Sequence, residues 1–418
     1  MLTGKTPYGL QYAVKRSNSA ACYCALSIKC GTRDEKGFHE GIAHFVEHTI
    51  FKGTTKRKAS NINGYLDKLG GELNAFTTKE EIVLHATVLK EDFNKASSLL
   101  FELATSATFP EAEIETEKGV VIDEIHSYKD TPSEDIFDRF EELLFTGHPL
   151  CSNILGTTSS VRKISREELD RFVKSKFLPC RMAFTVVADI DEKKMEKTIL
   201  KLADHVFAEV KNDCSFADCT AGVLPCGNFG NLNTEPFDKT LNKRNHQANC
   251  IIGGLAPSLY QEPERIATVL LCNILGGPAN NSILNSVLRE KNGWVYSVEC
   301  GYTQFSDTGM VTISFGCDKS NVDKCINTIH KEIAKLQEKP LSERSLKAAK
   351  KQLLGQMAIS GDNGETQCLS MGKALLAYGK INTGKENRAL IEAVTAEDIR
   401  HMAQTVFDSA KLSKLLYI

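Results

Sequence analysis

At 418 residues the chain exceeds what one hydrophobic core usually holds, so two or more domains are expected. A net charge of −2 gives no electrostatic case for nucleic acid or for an anionic membrane surface as partner. Fourteen cysteines lie mostly inside apolar segments such as Ala21–Ala25 and Val269–Asn273, which fits buried free thiols better than disulfides. Cys214, Cys219 and Cys226 cluster, but without the close paired spacing of a zinc knuckle.

The opening stretch Met1 to Val14 holds no long apolar run and passes at once into strand-like alternation. Neither a signal peptide nor a transmembrane helix is expected, and the chain reads as cytoplasmic. The first residues with chemistry stand in Gly41-Ile-Ala-His-Phe-Val-Glu-His-Thr-Ile-Phe-Lys-Gly53. His44, Glu47 and His48 occupy positions i, i+3 and i+4, so on a helix both imidazoles and the carboxylate share one face. This is the ligand and base order of inverzincin zinc sites. The plain alternative is an amphipathic helix with Ala43, Val46, Ile50 and Phe51 toward a core and the polar residues merely solvated. A catalytic zinc site needs a third protein ligand and an open fourth position.

Gly71–Phe76 and Ile82–Leu89 follow as hairpin-like strands, and then Pro110–Ile125 shows apolar Ile114, Val121, Ile122 and Ile125 at helical spacing. Most acidic residues on such a helix are solvated. Glu117 and Glu124 lie two turns apart on one face, and Glu124 sits between Ile122 and Ile125, where a bare carboxylate is expensive unless paired or metal-bound.

His-x-x-Glu-His followed downstream by Glu-x6-Glu, standing here as His44, Glu47, His48, Glu117 and Glu124, resembles the pitrilysin family, which includes insulinase and the mitochondrial processing peptidases. By that resemblance His44, His48 and Glu124 hold one zinc ion, Glu47 is the general base of a peptide hydrolysis, and Glu117 orients the site.

The second half echoes the first. Gly41–Gly53 lines up with Arg265–Gly277, where Thr268, Leu271 and Cys272 replace His44, Glu47 and His48. Gly71–Phe76 corresponds to Gly293–Val298, and Glu113–Ile125 to Ser345–Met357, with Ala349 and Gln356 in place of the two glutamates. Ser165–Phe172, a capping-box start, matches Thr395–Met402. The expected fold is therefore α+β: two homologous units, each a mainly antiparallel sheet covered on one face by helices. The expected domains are a catalytic one at 1–209, a linker rich in Asn, Gly, Asp and Cys at 210–239, and a metal-free, substrate-binding one at 240–418.

The resemblance covers nearly the whole chain and adds four further residues. Arg289 and Tyr296 match the family's Arg-x6-Tyr signature, which implies that they contact substrate across a chamber from the zinc. Asn74 and Ala75, on the expected edge strand, hold an extended peptide, a binding mode with little sequence dependence. The turn Gly276–Ser282 departs from the family pattern by lacking its further small residues and Arg. A full chamber needs four units, so the resemblance implies a homodimer with peptide substrates, or a heterodimer with an inactive homologue. The competing function is a non-catalytic scaffold subunit of a processing-peptidase-like complex.

Overall fold

The computed structural model describes residues 1–208, 234–243 and 246–418. Its first half runs β1 (Leu2–Lys5), β2 (Gln11–Arg16), β3 (Ala21–Ile28), α1 (Ile42–Thr49), α2 (Ala59–Asp67), β4 (Glu72–Thr77), β5 (Ile82–Leu89), α3 (Phe93–Ser106), α4 (Glu111–Lys129), α5 (Pro132–Leu144), α6 (Thr158–Lys163), α7 (Arg166–Lys176), β6 (Met182–Ala188) and α8 (Glu192–Phe207). The second runs β7 (Asp238–Leu241), β8 (Ala248–Ala256), α9 (Glu262–Gly276), a π-helical segment (Asn285–Lys291), β9 (Val295–Gln304), β10 (Gly309–Cys317), α10 (Val322–Glu338), α11 (Glu343–Ser360), α12 (Gly364–Tyr378), α13 (Gly384–Ala393), α14 (Ala396–Val406) and β11 (Ser413–Tyr417).

Each half contributes one sheet. The first has the order β1-β2-β6-β3-β5-β4 and the second β7-β11-β8-β10-β9. Both are antiparallel except at one pair, β2 with β6 and β7 with β11. The second sheet thus repeats the first from β2 onward, as the sequence echo requires. β6 is buried along its whole length and is apolar apart from Thr185, as a strand covered on both faces should be. On β3 the alternation is explicit: Cys22, Cys24, Leu26 and Ile28 join the core beneath α3 and α8, while Ala25 points to the opposite face.

That opposite face departs from the expected one-sided sheet. Ala13, Ala25, Ala183 and Val187 are covered by Cys368, Met371 and Leu375 of α12, a helix from the second half of the chain. Reciprocally, Ile136, Phe140 and Leu144 of α5, a first-half helix, pack on Ile251, Leu415 and Tyr417 of the second sheet. The fit of α12 is close: a Cβ on Gly372 would lie 2.4 Å from Ser27 Oγ.

The compact units therefore interleave along the chain. One comprises Met1–His126, Ser152–Ala221 and Ile359–Ile381; the other Ser127–Cys151, Gly222–Ala358 and Asn382–Ile418. These do not follow contiguous halves at 1–209 and 240–418, because an amphipathic pattern says that a helix must bury one face without saying on which sheet. Most of 210–239, with Cys214, Cys219 and Cys226, lies outside the described residues, and Asp238 and Lys239 already belong to β7. Among the described residues eleven cysteines are free, most of them buried, and no helix is long and apolar enough to cross a membrane.

Candidate metal centre

The site lies in the first unit, on α1, β4 and α4. α1 buries Ile42, Ala43, Phe45, Val46 and Thr49, so the helix is fixed from below while Glu47 and His48 stay half-buried. Its start is held in two ways. Gly41, at the N-cap, has φ of 85°, in the left-handed region that favours glycine, and a Cβ there would sit 2.6 Å from the Leu155 carbonyl oxygen. The buried Glu35 carboxyl accepts from the backbone N–H of Gly41 and of Ala43, each at 3.0 Å, satisfying donors that a helix start leaves unpaired. Burial pushes that carboxyl up to about 8, against the opposing pull of these two N–H groups.

α4 follows Phe109, which is buried with φ of 49°. A bulky residue in this left-handed region before a proline is strained, and the buried ring anchors the turn from which α4 departs. Along α4, Glu117 falls in the buried stripe with Ile114, Val121 and Ile125. Glu124 is half-buried. The ranking by burial is thus the reverse of the expectation from flanking residues: Ile122 and Ile125 both pack on the first unit's core, yet Glu117 is the more enclosed carboxylate.

His44, His48 and Glu124 come together with one ligand atom from each lying within 4.8 Å of the others. Glu124 Oε2 is 3.4 Å from His48 Nε2 and 3.8 Å from His44 Nε2. The imidazoles meet edge to face with centroids 4.7 Å apart. Burial, and then the neighbouring His48, push His44 down to about 3, so it is a neutral imidazole with a free lone pair at any ordinary pH. The donor set, two neutral imidazoles and one carboxylate converging from two elements, fits a divalent zinc ion with a coordination position left open.

A second layer fixes His48. Its Nδ1 lies 3.2 Å from Glu117 Oε2, and Glu117 Oε1 lies 2.5 Å from Lys52 Nζ. With Nδ1–H donating to Glu117, Nε2 is left as the acceptor that faces Glu124, the carboxylate–imidazole arrangement that orients metal-binding histidines. Lys52 escaped the sequence reading, although it extends the series His44, His48, Lys52 at four-residue steps. Thr77 on β4 was also missed. Burial raises the Glu47 carboxyl, while Thr77 and His48 counter by favouring its charged form. No spacing rule connects Thr77 to α1, because the contact is made by the sheet.

β4 is an edge strand, paired only with β5 in the sheet order. On it Asn74 is exposed and Ala75 half-buried; they pair with His85 and Leu84. Arg289 and Tyr296 belong to the other unit. Arg289 lies in the π-helical segment, half-exposed, with Nε 4.0 Å from Glu290. Tyr296, the second residue of the edge strand β9, is 58% exposed and donates to Asp318 Oδ1 at 3.0 Å, which holds its hydroxyl protonated above the usual phenol range.

Residues 12–158 match the family described as Insulinase (Peptidase family M16), and residues 163–353 match the Peptidase M16 inactive domain. An uncharacterized zinc protease of Bacillus subtilis is 30% identical over 381 residues, which is 91% of this chain and 89% of that protein. This chain belongs to the insulinase (M16) family of peptidases. Within that family it is also 28% identical, over 94% of its length and 91% of the relative, to an uncharacterized zinc protease of Rickettsia felis. The beta subunit of rat mitochondrial-processing peptidase is 27% identical over 94% of this chain and 79% of its own. Among solved structures, a protease from Helicobacter pylori shares the fold with a TM-score of 0.87 at 18% identity, covering 100% of this chain and 98% of that one. The inactive-domain match covers much of the half in which Thr268, Leu271 and Cys272 replace the histidines and glutamate.

Proposed function

We propose that the chain is a zinc-dependent endopeptidase that hydrolyses unfolded peptides in an enclosed chamber. The observation that carries this reading is Glu47 standing on α1 between His44 and His48, whose Nε2 atoms both face Glu124. When bound, zinc supplies a Lewis acid that polarises the scissile carbonyl and acidifies water. His44, His48 and Glu124 hold the ion; Glu117, braced by Lys52, keeps His48 in the binding tautomer. Glu47 takes a proton from water as its oxygen adds to the carbonyl, then delivers it to the leaving nitrogen as the C–N bond breaks. Partial burial, which raises the proton affinity of Glu47, supports this role.

The free edge of β4 supports binding of an extended chain through main-chain hydrogen bonds, with the Asn74 amide and Ala75 backbone alongside. Arg289 and Tyr296 complete the substrate site as hydrogen-bond donors. The active particle is a homodimer in the cytoplasm, a location supported by the free cysteines among the described residues. A quenched, unstructured peptide assayed with and without chelator, beside Glu47→Gln, tests the proposal. Zinc binding by the wild type with no cleavage at any peptide length would sink it. Mixing Glu47→Gln chains with Arg289→Ala chains tests the dimer: recovered activity places Arg289 in trans, and none places it in cis.

A further inference from the structure

Equivalent places in the two units are filled differently. In the first unit the segment before α1 lays Phe38 against α7. Its ring meets Phe172 edge-on at 5.1 Å and 85°, and the Arg171 guanidinium lies 4.8 Å over the Phe38 ring. Glu168 then accepts from the His39 backbone N–H at 2.8 Å and lies 2.8 Å from His39 Nδ1. Phe38 thus covers the apolar side of α7, and the hollow of about 550 Å³ that remains beside it is lined mainly by polar groups, among them Lys163, Ser165, Glu167 and Glu168.

In the second unit α9 stands for α1 and α14 for α7. By the register of the repeat, Met402 replaces Phe172, His401 replaces Arg171 and Asp398 replaces Glu168, while α9 begins a turn earlier than α1, with Glu262 where the first unit has a turn. The ring has no substitute. A groove of about 640 Å³ opens between the first turns of α9, the end of α13 and α14, within the range that holds a small ligand or a few side chains. Its floor is apolar, with Ala267, Val394 and Met402 2%, 6% and 2% exposed. Three carboxylates, Glu262, Glu264 and Asp398, stand on its rim. Acidic residues in first helical turns complement the helix dipole; that accounts for their place on the helices but leaves the apolar floor uncovered.

We propose that this groove is a docking site for a polypeptide segment presenting an aromatic side chain beside a lysine or arginine. The ring takes the volume above Ala267, Val394 and Met402, and the cation meets the three carboxylates of the rim. The occupant's main chain stays outside, since the groove is open to solvent along its length. Binding here needs neither zinc nor cleavage.

The test is fluorescence anisotropy with labelled Ser-Gly-Arg-Phe-Arg-Gly-Ser peptide, using the full chain carrying Glu47→Gln, in chelator, so that neither metal nor hydrolysis contributes. Glu262→Phe, which sets a ring over the groove it lines, is expected to weaken binding at least tenfold, as is replacing the peptide's Phe by Ala. Replacing its two Arg by Glu should weaken it further. Should Glu262→Phe fail to fold, Ala393→Trp at the exposed end of α13 blocks the same groove. Equal affinity for the blocked and open chains overturns the proposal, and so does equal affinity for the Phe and Ala peptides. Loss of self-association in Glu262→Phe without any peptide binding also overturns it, by assigning the groove to a second copy. A chain that binds the peptide but cleaves nothing would leave this site standing while removing the peptidase reading.

Discussion

Helices α1 and α9 occupy the same place in their units, each beside an edge strand, yet they treat three equivalent positions in opposite ways. In α9, Thr268, Leu271 and Cys272 are all buried, and Thr268 Oγ1 donates to its own helix at the Glu264 carbonyl, 2.7 Å away. In α1, His44 and His48 turn toward two carboxylates of α4, and Glu47 and His48 remain partly open. The strand order around both helices is the same, so neither fold nor sheet register calls for imidazoles or a carboxylate there. The polar set is a local addition to a scaffold that closes just as well with Leu and Cys.

The largest expected effect is on chemistry. Glu47→Gln should lower the peptide cleavage rate by about 10²–10⁴-fold while bound zinc, measured by elemental analysis, stays at the wild-type level. A variant that loses its zinc would show Glu47 to be part of the metal's support. The reverse experiment is made in the other unit: Leu271→Ala should leave zinc content untouched and destabilise the fold by about 2–5 kcal/mol, read as a shift in the denaturant midpoint. An unshifted midpoint would mean that α9 does not pack as described. Next, Lys52→Met removes the cation beside Glu117 and should weaken zinc affinity by about 10–100-fold, measured by competition with a chelator. Unchanged affinity would reduce Lys52 to a surface ion pair.

The subtlest expectation is a slope with pH. The Glu35 carboxyl is raised to about 8 in the folded chain from its ordinary value of 4.5. Between these values the folded state keeps a proton that the unfolded state has released. The stability from this group is therefore full below 4.5 and is lost as pH rises through about 8. Glu35→Gln should flatten that fall, seen as denaturation midpoints compared at pH 5 and pH 8. Parallel profiles for both chains would show Glu35 to be ionised throughout.

Much of this was legible from spacing alone. Helical steps of three, four and seven residues put His44, Glu47 and His48 on one face and Glu117 and Glu124 on another, and the structure has those faces meeting. The two sheets followed from alternation and from the repeat, while the edge position of Asn74 was expected alongside the family resemblance. What escaped was whatever depends on contacts between elements: Glu35 capping α1, Thr77 beside Glu47, and the burial of Glu117 rather than Glu124. Such contacts leave no periodic trace. The helices α5 and α12 escaped for a related reason, since their apolar faces fit either sheet equally well on paper.

The placement of α12 bears on how the chain is made. Among the described residues, those that cover the back of the first sheet, with Ala13, Ala25, Val83, Ala183 and Val187, come from α12 and its neighbourhood, and they emerge from the ribosome late. A chain emerging from its N-terminus completes nearly all of the metal-binding unit early and then waits through most of the second half for its last helix. Such long-range closure slows folding and leaves a partly finished sheet exposed to mispairing. A fragment ending near residue 209 would stay in that state permanently, so this chain cannot be divided into two freely folding halves.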